Sequence, residues 1–342
     1  MLTANLIDTK TIVYEEKPLP KTEAGDVLLH NRFMGLCTSD MQIWHGKHKY
    51  SALPVVMGHE LSAEVAYVGP DVQDFKKGDR VVLQPQVVCG ECFPCKNGKF
   101  NVCEELHVRG VHEDGCACEY MTTDAWHLHK VPENVAMEDA ALAEPIAVGI
   151  GAAGRAGDLT GKNVAVVGAG TIGNFAAQAA KALGAKAVLI TDIFDPKLEL
   201  AKKCGIDYAI NTRERELSDA IDEVFGSFQR ADVIIDCAAT PRSFAFIIQA
   251  ARKNSTIVIS GNYKEPVQFD LPQLQRREIS LLGHMMYTKQ EIADALRYLA
   301  EGKICTDGIV TQVFPLSKYQ DAFEFADAHP EQVVKMLIDC RE

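Results

Sequence analysis

An α/β fold, with an irregular β-barrel part joined to a doubly wound parallel sheet, is predicted by three observations. From about Gly161 onward, apolar runs alternate with helical patterns. One of those junctions is a glycine turn between strand and helix. Residues 1–150 have another texture, short β-rich runs broken by Gly and Pro. Alternation of the first kind builds a parallel sheet with helices on both faces.

In the first part, Asp26 to Phe33, Leu61 to Val68 and Gly78 to Leu83 read as strands, the last entered through a Gly-Asp turn. Cys37 follows the first of them in GLCTSD, and His59 and Glu60 precede the second in MGHE. Glu144 stands at the start of a predicted helix in LAEPIAVGIGAA. Each residue alone has a bland reading, as core thiol, satisfied polar group or helix start. Jointly they offer one thiolate, one imidazole and two carboxylates, enough for a catalytic zinc with an exchangeable position.

The segment VCGECFPCKNGKFNVC spaces Cys89, Cys92, Cys95 and Cys103 as C-x2-C-x2-C-x7-C. Short spacers let four sulfurs converge within about 2.3 Å of one tetrahedral zinc. A closed four-sulfur site has no position for substrate, so this second zinc is expected to be structural. A ribbon gripping nucleic acid is opposed by the mixed charges Glu91, Lys96, Lys99, Glu104 and Glu105.

Asn163 to Asp192 reads strand, glycine turn, helix, strand. Val164 to Val167 leads into Gly168, Gly170 and Gly173, with Thr171 and Ile172 between the last two; an Ala-rich helix stops at Gly184, and Ala187 to Thr191 ends on Asp192. The first glycine permits the turn, the second lets backbone approach a pyrophosphate, and the third lets helix pack on strand. The helix N-terminus meets the anion with unpaired N–H groups. Asp192 stands where a carboxylate accepts the adenosine ribose hydroxyls and repels an extra phosphate, which predicts NAD over NADP. Further strands are Tyr208 to Ile210, Val233 to Asp236, Thr256 to Ile259 and Ile279 to Leu282. A helix follows at Gln290 to Ala300, and the β-textured tail, Ile309 to Phe314 and Val333 to Ile338, is expected to return to the first domain.

Composition bounds the rest. A chain of 342 residues with 47% apolar content supports two domains. Net charge −12 disfavours nucleic acid and anionic membrane as partners. The N-terminus lacks a basic start with an apolar h-region, and no run approaches a membrane span. Of 11 cysteines, five sit in metal-ligand contexts, which calls for a reducing compartment, and the cytoplasm is expected. Cys116, Cys118, Cys204, Cys237, Cys305 and Cys340 are assigned to packing.

Cys37 with Ser39-Asp40, Gly58-His59-Glu60, the four-cysteine lobe, Glu144-Pro145 and Gly168 to Gly173 occur in the order found in zinc-dependent medium-chain dehydrogenases. The chain resembles especially their polyol and threonine dehydrogenase branch. The resemblance implies a GroES-like β-barrel catalytic domain, residues 1–150 completed by 289–342, and a Rossmann NAD-binding domain, residues 151–288, with the active cleft between them. It implies catalytic zinc on Cys37, His59 and Glu60, with Glu144 as fourth ligand or water-bridged neighbour. It further implies that Ser39 takes the alcohol proton, that Asp192 and Lys197 flank the adenosine ribose, and that the chain forms a homo-oligomer, dimer or tetramer.

The resemblance has departures. Many relatives carry a histidine five residues after the zinc cysteine, where this chain has Gln42, and an amide cannot exchange a proton near neutral pH. His45 is the expected substitute in the proton relay. Ala63 stands where relatives usually have glycine, and Met286-Tyr287 replaces the Arg-Tyr pair of sorbitol dehydrogenases. Trp44, His45, Lys47 and Tyr50 offer a polar, aromatic rim for a hydroxyl-rich small molecule. The expected reaction moves hydride from a secondary hydroxyl of a polyol, sugar alcohol or sugar acid to NAD. Threonine or a phosphorylated polyol stays open as substrate. Two other readings of the architecture are a zinc-free enone or quinone reductase and a non-catalytic NAD- and zinc-binding protein.

Overall fold

In the computed structural model, which describes residues 1–341, the apolar runs of the middle of the chain form one parallel sheet. Val and Ile runs without a polar face must be buried on both sides, which a sheet flanked by helices provides. The strands lie in the order Tyr208–Asn211, Ala187–Asp192, Asn163–Val167, Val233–Asp236, Thr256–Ile259 and Ser280–Gly283. This is the doubly wound arrangement, with its switch point between Asn163–Val167 and Val233–Asp236. Leu189, Ile234 and Ile257 are fully buried in one core with Phe244 and Ile247; truncating Ile234 to Ala is expected to cost about 2–5 kcal/mol.

The turn that opens the helix Thr171–Ala182 depends on its glycines. Gly168 has φ +98°, and a Cβ on Gly173 would lie 1.7 Å from the Gly168 carbonyl oxygen. Only hydrogen at Gly173 lets helix and strand approach this closely. The sheet, with its helices, belongs to a unit formed by Pro145–Tyr287 and Glu301–Ile309.

The other unit comprises Met1–Glu144, Thr288–Ala300 and the stretch from Val310 onward. Its main sheet is built around Asp26–Leu36, which pairs antiparallel with Glu60–Val68, Tyr120–Asp124 and Lys335–Asp339. Register shifts between Leu28 and Leu29 and between Asn31 and Phe33 mark irregularities in the ladder to Glu60–Val68. Bulges of this kind bend a strand and let it serve several partners. Val310–Pro315, Arg80–Leu83 and Leu128–Lys130 complete the sheet. The tail thus joins the strand that precedes Cys37, with Met336 opposite Leu36 and Gly35 opposite Glu60. A hairpin of Leu2–Asp8 and Thr11–Glu16 and the strand Tyr120–Asp124 are additions to the sequence reading. Among the described residues no helix is long and apolar enough to cross a membrane.

Candidate functional site

The end of Asp26–Leu36 delivers Cys37 as the N-cap of the short helix Thr38–Trp44. The neighbouring strand begins at Glu60, directly after His59. Their ligand atoms converge: Cys37 Sγ, an imidazole nitrogen of His59 and a carboxylate oxygen of Glu60 all lie within 4.8 Å of one another. One thiolate, one imidazole and one carboxylate are a donor set suited to zinc.

Residues around the three fix them. Asp40, fully buried, accepts the Cys37 backbone N–H at 2.9 Å and stands 3.5 Å from His59 Nδ1. The Asp40 oxygen facing His59 and His59 Nδ1 itself are buried without a completed hydrogen bond. A carboxylate behind a ligand histidine is the usual device for orienting such a ring. Burial pulls the His59 pKa down, but Asp40 and then Cys37 outweigh it and hold it well above the ordinary histidine value. Ser39 Oγ lies 3.5 Å from His59 Nε2.

Behind Glu60 stands Lys335, which the sequence reading missed. Its Nζ donates to both Glu60 carboxylate oxygens at 2.7 Å and to the Leu36 carbonyl at 3.1 Å, so three bonds match its three donors. Both side chains are buried. Burial alone lowers the ammonium pKa, yet Glu60 outweighs it, with help from Cys37 and Glu144, and the value stands above that of an ordinary lysine. The carboxylate also explains a neighbouring residue: a Cβ on Gly35 would lie 1.9 Å from Glu60 Oε2. The readable signal was a single cation inside the apolar run VVKMLID.

Two expectations, those for His45 and Trp44, are corrected. Among the described residues the convergent set comprises Cys37, His59 and Glu60, with Glu144 outside it. It lies buried in the first turn of Ala143–Gly154 and bears on the centre through the charge of Lys335. His45 caps the far end of the helix that starts after Cys37, roughly 9 Å of helical rise from Ser39. Its Nε2 pairs with Asp327 at 2.9 Å, and Lys10 bonds the other Asp327 oxygen at 3.0 Å, so His45 is engaged away from the proton path. Trp44 is not a rim residue either. It is fully buried and stacks on Phe323 with centroids 4.8 Å apart.

The four-cysteine lobe closes as its spacing implies. Cys89, Cys92, Cys95 and Cys103 place their sulfurs within 4.8 Å of one another. Cys103 Sγ stands 3.5 Å from Cys89 Sγ and 3.8 Å from Cys92 Sγ, near the separation of about 3.8 Å that tetrahedral zinc–thiolate bonds produce. Backbone N–H groups of Cys89 and Glu105 point at Cys103 Sγ, and that of Cys92 points at Cys89 Sγ. Backbone N–H groups of Glu104 and Cys95 bring the Cys92 thiol down to about 6, which favours its thiolate, while burial pushes the Cys95 thiol up to about 12.

In the other unit, Asp192 ends its strand with its carboxylate held by backbone. Oδ2 accepts from Ala169 at 2.6 Å, and Oδ1 accepts from Ile193 at 2.7 Å and Phe194 at 3.0 Å. Gly168 and Asp192 line a cavity of about 650 Å³ at the carboxyl ends of the strands, the place where doubly wound sheets bind ligands. Gly170 is the N-cap of the helix that begins with Thr171, Ile172 and Gly173. Lys197 extends over the Phe194 ring at 5.2 Å, as does Arg213 from the opposite loop. Arg213 and Arg242 line the cavity and were not anticipated, although TRERE directly after a strand and PR at a helix start mark them.

Comparison with known proteins agrees with this geometry. Residues 23–133 match the alcohol dehydrogenase GroES-like domain, and residues 171–301 match the zinc-binding dehydrogenase domain. The sorbitol dehydrogenase of Bacillus subtilis (strain 168) is 31% identical over 343 residues, 99% of this chain and 97% of that protein. The L-galactonate-5-dehydrogenase of Escherichia coli (strain K12) is 29% identical over 99% of each chain. The structure of the alcohol dehydrogenase rspB from E. coli CFT073, complexed with NADH, superimposes with a TM-score of 0.92 at 30% identity, covering 99% of both chains. This chain belongs to the family of zinc-dependent medium-chain alcohol dehydrogenases, with a GroES-like domain and a Rossmann domain.

Proposed function

We propose that the chain oxidises a secondary hydroxyl of a polyol, sugar alcohol or sugar acid, with NAD as acceptor. The observation that carries the reading is the convergence of Cys37, His59 and Glu60 on one point. Bound there, zinc supplies Lewis acidity that lowers the pKa of a hydroxyl toward neutrality, and NAD supplies the hydride acceptor. The chain's own residues do the rest. Asp40 orients His59, and Lys335 fixes the Glu60 carboxylate. The Ser39 hydroxyl, beside His59, takes the substrate proton. Gln42 cannot carry that proton onward near neutral pH, and His45 is committed to Asp327, so the path from Ser39 runs through water. Asp192 accepts the adenosine ribose, and the dipole end at Thr171 meets the pyrophosphate.

The substrate class rests on relatives named for sorbitol and for L-galactonate, both rich in secondary hydroxyls. A second zinc on the four cysteines holds its loop. A homo-oligomer in the cytoplasm completes the reading; the eleven cysteines, all free thiols, suit a reducing compartment. The test is metal analysis together with NADH formation over a panel of polyols and aldonates, with NAD and NADP in parallel. Two zinc per chain and oxidation with NAD are expected. Normal NAD binding with no turnover of any panel member would instead favour a non-catalytic role.

A further inference from the structure

We propose that Tyr263, acting through Asp236, is a positioning residue for the dinucleotide: the two side chains hold the turn 238–240, which walls the cavity shared with Gly168 and Asp192. The assignment rests on NAD occupying that cavity, and it names what keeps one wall of the cavity in shape.

Asp236 ends its strand at the switch point of the sheet and is fully buried. Its Oδ1 accepts the backbone N–H groups of Ala238 at 3.0 Å and Ala239 at 3.1 Å, and its Oδ2 accepts the Tyr263 hydroxyl. Its carbonyl accepts from Ser260 at 3.0 Å and Gly261 at 2.8 Å, which draws the chain that carries Tyr263 alongside the turn. Five donors thus meet on one residue. Burial and then Asp236 raise the Tyr263 pKa above the ordinary phenol value, so the hydroxyl keeps its proton as a donor.

The turn needs that hold. Ala239 sits at φ +50°, in the left-handed region, which costs an alanine more than a glycine. It is also closely packed, since a Cβ on Gly261 would lie 2.6 Å from the Ala239 Cβ. The held turn meets the glycine turn of the nucleotide motif: a Cβ on Gly168 would lie 3.0 Å from the Ala238 nitrogen. Ala238 and Thr240 line the cavity with Gly168 and Asp192. Thr240 then caps the helix Pro241–Ala250 by accepting the Ser243 N–H at 3.0 Å. Without the Tyr263 hydroxyl, Asp236 Oδ2 loses its side-chain donor in a buried place, and the carboxylate is free to turn away from Ala238 and Ala239. The wall then relaxes although every side chain lining the cavity is intact.

Tyr263→Phe deletes the hydroxyl and keeps the ring, which packs edge-on against Phe244 at 6.1 Å. The experiment measures the dissociation constant of NAD for the zinc-loaded full chain by calorimetry, together with kcat and the KM for NAD on the best substrate of the panel. Tyr263→Phe is expected to weaken NAD binding about 10-fold, the loss of one buried hydrogen bond. The KM for NAD should rise in step, with kcat changing by less than about 2-fold. Adding Ala239→Gly, which accepts positive φ freely, should recover most of the affinity. Wild-type affinity in Tyr263→Phe overturns the assignment and leaves the NAD reading standing. A loss that Ala239→Gly fails to recover also overturns it, because the hydroxyl would then act other than through the turn. NAD affinity left unchanged by Asp192→Ala would overturn both the occupancy of the cavity and the role of Tyr263.

Discussion

Lys335 donates to both carboxylate oxygens of Glu60 at 2.7 Å, in a place where neither side chain meets solvent. Strand register produces the pair, since Gly35 lies opposite Glu60 and Leu36 opposite Met336, the residue after Lys335. The absence of a side chain at Gly35 leaves room for the carboxylate. A buried carboxylate so held is fixed in direction, a property a metal ligand needs.

Removing one partner of a buried pair leaves the other charge uncompensated. Lys335→Met is expected to cost about 3–5 kcal/mol of stability, read by urea unfolding of the metal-free protein. Lys335→Met with Glu60→Gln should recover a large part of that loss. A double variant as unstable as the single one would show that packing, and not charge, matters at Lys335.

The same pair gives a pH dependence. An unfolded lysine titrates near about 10.4, and the folded value of Lys335 is raised. Its stabilisation is therefore fully present below about 10.4 and is lost as pH rises through the higher folded value. Unfolding midpoints should fall on the alkaline side in the wild type and fall less steeply in Lys335→Met. Parallel curves for the two proteins would contradict this.

Asp40 touches both the Cys37 backbone and the His59 side of the candidate metal centre. Asp40→Asn is expected to weaken metal binding there about 10–100-fold, measured by chelator competition with Co2+. The four-cysteine lobe should keep its metal in that variant. Equal losses from both sites would mean a global defect.

Cys103 lies within 3.8 Å of two other sulfurs. Cys103→Ser is expected to lower the zinc content from two to one per chain and to increase proteolysis between residues 89 and 105. Retention of two zinc ions would exclude the four-sulfur assignment.

Asp192→Ala removes the acceptor of three backbone N–H groups together with the charge that opposes a 2′-phosphate. The KM for NAD should rise about 10-fold or more, and the preference over NADP should narrow. An unchanged ratio of the two cofactors would place the ribose elsewhere.

Much of the doubly wound half was legible because its strands are short, mostly apolar and punctuated. Val233–Asp236 and Thr256–Ile259 lie where the pattern put them, and the Gly168–Asp192 unit follows from steric rules on glycine. The β-rich half was harder to read, because its strands share partners far apart in sequence. Asp26–Leu36 runs three residues beyond its apparent end at Phe33, up to the residue before Cys37. Local reading failed most at Thr38–Trp44. Without that helix, Trp44 and His45 looked like loop residues, whereas helical turning buries Trp44 and sends His45 to Asp327. Lys335 was invisible for another reason: it matters through a neighbour brought in by tertiary structure.

The central claim is that Cys37, His59 and Glu60 hold one metal ion. Anomalous diffraction at the zinc absorption edge from crystals of the NAD-loaded protein tests it most directly. The account predicts two peaks per chain, one bonded to Cys37, His59 and Glu60 and one among Cys89, Cys92, Cys95 and Cys103. A peak at the four cysteines alone, with Glu60 bonded only to Lys335, would contradict it.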